Sequence, residues 1–342
     1  MPLRAAFPVA LRPAGPWGSP SWWTTTGDAM TTAFLFPGQG AQTIGMGRDL
    51  AEAYPAARAV FEEVDAALGD DLSGLIWDGE QDALTLTRNA QPALMATSMA
   101  AMAALRAEGV EVTAAACVAG HSLGEYSALA AAGALGLGDA ARLLRLRGEA
   151  MQAAVPAGEG AMAALLGLGV DAVTAIAEEA AGDGVCAAAN DNDPAQVVIS
   201  GDRAAVERAV EIAKAQGAKR AVMLPVSAPF HCALMQPAAE AMEAALAEVA
   251  LQAPAVPLVG NVTAEATTDP DAIRARLVEQ VTGRVRWRES VAWMRANGVT
   301  ETWEIGAGKA LTGMVKRIDR SVATRTVGTA AEVRAAAQGG DA

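Results

Sequence analysis

Histidine is nearly absent from this chain, with two in 342 residues, so chemistry that needs an imidazole has almost no choice of residue. Cysteine is scarce as well. Cys117, Cys186 and Cys232 are odd in number and lack the paired spacing of a metal site, which argues against a zinc cluster or a disulfide framework and fits a reducing, cytoplasmic setting. No stretch comes near the roughly 18 consecutive apolar residues of a membrane span, although 52% of the chain is hydrophobic. Positive charge is in deficit: 26 Lys and Arg stand against 39 Asp and Glu. The net charge of −13 argues against nucleic acid, whose backbone would repel it. The basic residues that exist cluster late, at Lys219-Arg220, at Arg284, Arg286 and Arg288, and at Lys309, Lys316, Arg317 and Arg320. Such clusters are commonly solvated faces; the alternative is a face that receives an acidic partner.

Against these absences stands Gly120-His121-Ser122-Leu123-Gly124, a G-x-S-x-G pentapeptide. The pattern describes a serine on a sharp turn between a strand and a helix. A chance match is conceivable in a chain with 34 glycines, but the flanks supply the context. Residues 114–119 are a small, apolar run of strand length, and Glu125 to Ala132 is alanine-rich and closed by Gly133. The Ser122 hydroxyl would then stand exposed beside the amides of a helix N-terminus, where an oxyanion is held. The base for such a serine is His231, in Ala228-Pro229-Phe230-His231-Cys232, because His121 adjoins the serine and should point away from it. A buried structural histidine is the alternative. No acid partner can be singled out among 39 carboxylates. Cys232 as a thiol nucleophile lacks the elbow that Ser122 has.

Strands alternate with helices, the pattern of a parallel sheet. A strand at 33–36 leads to the loop Pro37-Gly38-Gln39-Gly40-Ala41-Gln42, which lacks the Gly-Lys-Ser/Thr of a phosphate cradle. Helices are expected at 48–67 and 91–107, then the elbow. Residues 161–224 read strand, helix, strand, strand, helix, strand, a ferredoxin-like order inserted between the serine and its base. Beyond it come helices at 237–250 and 271–280, strands at 256–259 and 302–305, and a last helix after Gly306-Ala307-Gly308-Lys309. Residues 1–29 are rich in proline and tryptophan, with no acid before Asp28 and no apolar core of a signal peptide. They are expected to be a disordered extension, with Met30 as the alternative start, and the tail at 331–342 is expected to fray. Asn261-Val262-Thr263 is a glycosylation sequon without a secretory context.

Arg147 is on the wrong face. With Asp139 as N-cap, a helix to about Ala154 places it on the stripe of Leu143, Leu144 and Met151. An inward guanidinium is costly unless paired. It either meets an internal carboxylate or awaits the carboxylate of a ligand, which its planar fork would grip.

Together these residues resemble the malonyl-CoA:acyl carrier protein transacylase family. The resemblance rests on Phe36-Pro37-Gly38-Gln39-Gly40 with Gln42, the run from Gly120 to Ser127, Arg147-Gly148 with Met151, Gln196-Val197-Val198-Ile199, and Pro229 to Met235. It implies an α/β fold with an α/β-hydrolase-like parallel-sheet core at 30–155 and 226–330 and a ferredoxin-like subdomain at 156–225. It implies Ser122 as the acylated nucleophile, His231 as its base, and Arg147 as the clamp on the malonyl carboxylate. The oxyanion would be held by the Gln39 and Leu123 amides, and His231 would be oriented by the backbone carbonyl of Gln280. Asn190, with Asn192, would line the cleft, and Phe230 would narrow the space around the malonyl α-carbon. The implied substrates are malonyl-CoA and a phosphopantetheinylated acyl carrier protein docked on a basic patch of Arg284, Arg286, Arg288, Lys316 and Arg317, with no metal or redox cofactor and no membrane or nucleic-acid partner. A discrete polyketide acyltransferase, an α/β-hydrolase esterase and a non-catalytic carrier-binding scaffold remain as alternatives.

Overall fold

The computed structural model describes residues 31–226 and 228–339. The expected extension at 1–29 lies outside them, as do residues 340–342. β1 (Thr32–Phe36) is apolar on both sides: Phe34 and Phe36 enter one core, Ala33 and Leu35 another. Helices α1 (Arg48–Ala53), α2 (Pro55–Leu68), α3 (Leu72–Asp78), α4 (Gln81–Thr85) and α5 (Thr87–Ala107) follow. The single helix expected at 48–67 is broken at Pro55, because proline cannot donate and disfavours helical geometry in the residue before it, and Tyr54 is extended at φ −129°.

β2 (Cys117–Gly120) is shorter than the apolar run around it, since residues 112–114 form a helical turn. It feeds α6 (Gly124–Ala131) and α7 (Leu137–Ala153). Asp139 is not the N-cap of α7. Gly136 occupies that position, and Asp139 lies in the first turn, where the helix dipole favours a carboxylate and Arg142 donates to it at 2.7 Å.

A second sheet comes next, from β3 (Gly160–Leu166), α8 (Val170–Ala181), β4 (Cys186–Asp193), β5 (Gln196–Asp202), α9 (Arg203–Ala215) and β6 (Arg220–Met223). Its strands run antiparallel in the order β4-β5-β3-β6, over a core of its own that includes Leu165, Ile176, Ile199 and Val206. The chain then returns through α10 (Gln236–Ala247), β7 (Leu258–Val259), β8 (Ala266–Thr267), α11 (Pro270–Thr282), α12 (Trp287–Ala296), β9 (Glu301–Ile305) and α13 (Ala310–Ile318). The helix expected to be last is followed by β10 (Ala323–Val327) and α14 (Ala330–Ala337). Residues 331–337 are therefore helical rather than frayed. Thr329 and Glu332 form a reciprocal capping box, Ala330 N–H donates to Asp49 at 2.7 Å, and Val333 is fully buried.

The first sheet has the order β10-β9-β1-β2-β7-β8, parallel throughout except for the β7–β8 edge. This is an α/β fold with a mixed sheet. β1 pairs with β2 on one side and β9 on the other, so the strand order reverses at its carboxyl end, where such sheets open a crevice. Phe36 lies opposite Gly120, which sets the loop at 37–42 beside the turn at 121–123. No helix among the described residues is long and apolar enough to cross a membrane.

Candidate functional site

Ser122 leaves β2 at φ +54°, a left-handed conformation rare for a residue with a Cβ. The glycines flanking it are required by contact. A Cβ on Gly120 would lie 1.9 Å from the Gly124 carbonyl, and one on Gly124 would lie 2.2 Å from the Phe36 carbonyl oxygen. Asn261 braces the turn: its Oδ1 accepts from the Ser122 N–H at 2.7 Å, and its Nδ2 donates to the Gly120 carbonyl at 2.7 Å.

His231 Nε2 lies 2.8 Å from Ser122 Oγ, and its Nδ1 lies 2.8 Å from the Gln280 backbone oxygen. A carbonyl oxygen only accepts, so Nδ1 carries the ring proton and Nε2 is left to receive one. Burial, and then the nearby charge of Arg147, bring the imidazole down to about 3, with the Gln280 carbonyl opposing. The ring is neutral at physiological pH. His231 shares the left-handed backbone of Ser122, at φ +59°.

Arg147 is 1% exposed, and no ion pair holds it among the described residues. Its Nη1 donates to Gln91 Oε1 at 2.7 Å; its Nη2 donates to Gln280 Oε1 at 2.8 Å and to Ser122 Oγ at 3.2 Å. Its Nε has no partner, and the Tyr126 ring lies 5.8 Å beneath the guanidinium carbon. The internal carboxylate allowed by one reading of the sequence is not in contact. Neutral oxygens make all of its direct hydrogen bonds. α7 presses close to α5 here, since a Cβ on Gly148 would lie 2.6 Å from Arg88 Cα.

These groups open onto a cavity of about 440 Å³, lined by seven of the eight candidate residues; Gln280 stands behind it. Leu123 precedes α6, so its amide stands at a helix N-terminus. Gln39 arrives from the loop after β1, its side chain donating to Thr87 at 3.1 Å. Phe230 and Asn190 are 8% and 6% exposed, so both are wall rather than rim. His121 turns to Asn192, with Nε2 to Oδ1 at 2.8 Å, and packs on Trp287.

Gln91, Asn261 and Glu125 were not foreseen. Gln91 had a signal, a polar residue inside the apolar run of α5. Asn261 lies in the sequon that had been set aside. Glu125 follows the elbow and is fully buried against Gln280.

The expected basic patch is largely engaged. Arg286 pairs with Glu289, Arg288 with buried Asp191, and Arg317 with buried Asp193. A groove of about 510 Å³ carries Arg284, Arg286 and Arg288, but also Asp171, Glu279 and Glu289.

The chain is similar to known proteins in sequence and in fold. The acyl transferase domain family matches residues 33–333. The malonyl CoA-acyl carrier protein transacylase of Escherichia coli strain K12 is 49% identical over 286 residues, spanning 84% of this chain and 92% of that protein. The crystal structure of acyl-carrier-protein-S-malonyltransferase from Bartonella henselae superposes with a TM-score of 0.89 at 58% identity, covering 90% of this chain and 99% of that one. A malonyl-transacylase solved in complex with its type II PKS acyl-carrier protein superposes with a TM-score of 0.88 at 42% identity, covering 90% and 99%.

Proposed function

This chain belongs to the acyl transferase domain family, and from that premise we propose that it moves a malonyl group from malonyl-CoA to the phosphopantetheine thiol of an acyl carrier protein, for fatty acid synthesis. Ser122 Oγ attacks the thioester carbonyl while His231 Nε2 takes its proton. The Gln39 and Leu123 amides receive the oxyanion. Collapse breaks the C–S bond, and His231 returns the proton to the departing CoA sulfur. The carrier thiol then gives its proton to His231, attacks the malonyl ester, and Ser122 leaves reprotonated. This is ping-pong covalent catalysis. As written, it asks for no metal or redox group.

The observation that carries the reading is Arg147. A buried cation with no acid in direct contact, 3.2 Å from the nucleophile, suits an acyl group that brings its own carboxylate. Asn190 and Phe230 then bound the acyl chamber, and Gln280 holds the base. The second sheet fits a ferredoxin-like unit set into an α/β-hydrolase-like core, at 156–225 between 30–155 and 226–330. Three free, buried thiols suit a reducing cytoplasm. Carrier docking falls to the side of α13 and the 284–288 segment, with Lys316 and Arg284 as the cations outside the ion pairs above.

Treatment with radiolabelled malonyl-CoA tests the proposal: one label per chain should appear on Ser122, vanish in Ser122→Ala, and be chased to acyl carrier protein. Label on Cys232, or label that water alone removes, would overturn it. A polyketide carrier is the second reading, favoured by the likeness to the malonyl-transacylase complexed with a type II PKS carrier; the chase with both carriers decides between them.

A further inference from the structure

Gln280 joins two buried charges. Its Oε1 accepts from Arg147 Nη2 at 2.8 Å, and its Nε2 donates to a Glu125 carboxylate oxygen and to the Ser122 carbonyl at 3.0 Å. Glu125, Arg147 and Gln280 are each at most 1% exposed. One amide group therefore separates Arg147 from Glu125, in a medium where charges act strongly on each other. The charged groups acting on Glu125 are Arg147 on α7 and Arg276 on α11; Tyr126 adjoins it on α6, and the Asn261 backbone N–H donates to it.

An acyl carboxylate seated on Arg147 would bring a second anion to a cation already balanced by the first. Two carboxylates that share one buried guanidinium do not both stay ionised at neutral pH. The newcomer faces the cavity, and Glu125 does not. We propose that Glu125 is the counter-ion of Arg147 and takes up a proton when a malonyl group occupies the site, making it a specificity-determining residue that acts through Gln280. The proposal rests on the malonyl reading above. Burial already raises this carboxyl to about 7, with Gln280, Asn261 and Arg147 opposing, so the exchange falls in the working range of pH.

The sign follows. On the acid side Glu125 is neutral and Arg147 offers its full charge to malonyl. On the alkaline side Glu125 is ionised and competes for it. Acetyl carries no carboxylate and feels neither. The ratio of kcat/KM for malonyl-CoA to that for acetyl-CoA cancels the titration of His231, which serves both donors. From pH 6 to 8.5 this ratio should fall about tenfold in the unmodified protein, the effect of about one pH unit of proton linkage. In Glu125→Gln, whose amide oxygen can still accept from Gln280, it should be flat. A flat ratio in the unmodified protein, or an unchanged slope in Glu125→Gln, overturns the proposal. Should the variant fail to fold, calorimetry on the unmodified protein at pH 7.5, in two buffers of different ionisation enthalpy, reads the proton directly. Malonyl loading should take up about half a proton more than acetyl loading, and an equal count overturns the proposal. Failure of malonyl transfer at every pH defeats the parent reading along with it, whereas vigorous transfer with a flat ratio defeats only the counter-ion.

Discussion

Ser122 and His231 meet from opposite parts of the chain, each on a left-handed backbone at φ +54° and +59°. Such conformations cost on the order of 1–3 kcal/mol apiece and persist where surroundings enforce them. The enforcement here is Asn261 on one side and the Gln280 carbonyl on the other. The low proton affinity of His231 has a kinetic consequence. The rate of acetyl transfer should show no inflection near 6.5, the ordinary histidine value, and should hold until well into acid; a limb at 6.5 in the acetyl pH profile would refute a buried neutral base. Arg147 also disfavours the imidazolium that forms during attack, so a carboxylate that neutralises it helps the base as well as binding. Arg147→Ala should therefore lower kcat/KM for malonyl-CoA by about 2–5 kcal/mol, or roughly 30- to several-thousand-fold, and spare or improve acetyl transfer. Arg147→Lys should recover part of the loss, since an ammonium lacks the fork. Equal losses on both donors together with a lowered melting temperature would mark a structural cation. The residues legible in the sequence were those with local signals: the elbow, the scarce histidine, the charge on an apolar stripe. Asn261, 139 positions from Ser122, and Glu125, 155 positions before Gln280, act across distances no local pattern encodes.

Elements were read well where apolar periodicity ran long and poorly where a side chain or a short pairing decided the matter. Pro55 split one expected helix, the two-residue strand β8 carries too little pattern to recognise, and α14 owes its order to a capping box and tertiary docking. The strand β4 shows how an element can be held by charge. Its Asn190 and Asn192 line the cavity, and its Asp191 and Asp193 are buried against Arg288 of α12 and Arg317 of α13. Backbone bonds from Asp191 N–H to the Val285 carbonyl at 2.9 Å, and from Val285 N–H to the Ala189 carbonyl at 2.8 Å, complete the tie. Arg317→Ala leaves the Asp193 carboxylate buried without its cation. Denaturant melts should show a loss of about 3 kcal/mol, whereas Lys316→Ala, at an exposed position, should stay within about 0.5 kcal/mol of the unmodified protein. Equal, small effects would return Arg317 to the docking face alone.

At the scale of the molecule, the catalytic cluster also shapes stability against pH. Glu125 has a folded-state value raised from 4.5 to about 7, so its contribution is lost as pH rises through that window. His231 has a value lowered from 6.5 to about 3, so its contribution is lost as pH falls through that window. Between 4.5 and 6.5 the unfolded chain protonates the histidine and the folded chain protonates the glutamate, and the two slopes cancel. Urea unfolding should be nearly level there with respect to this cluster and steepen below 4.5. Glu125→Gln should remove the compensation and start the acid loss near 6.5; a variant curve parallel to the unmodified one would contradict this. The alternation of strands and helices through β9 and α13 was visible from the sequence apart from β8, but the partner of each strand was not, because pairing is settled by the whole chain. One pairing has a consequence for remaking the protein. β3 and β6, the first and last strands of the second sheet, are antiparallel neighbours, with Ala163 opposite Met223, and Leu224 N–H reaches back to the Met162 carbonyl at 2.9 Å. The two ends of the excursion emerge side by side, so the chain leaves for this sheet and returns from it at one place, while β4 is tied separately to α12 and α13. Because the sheet carries Met162, Asn190, Asn192, Gln196 and Val198 into the cavity, exchanging it for a homologous sheet would refit one wall of the acyl chamber while leaving the serine, its base and the arginine on the part of the chain that stays.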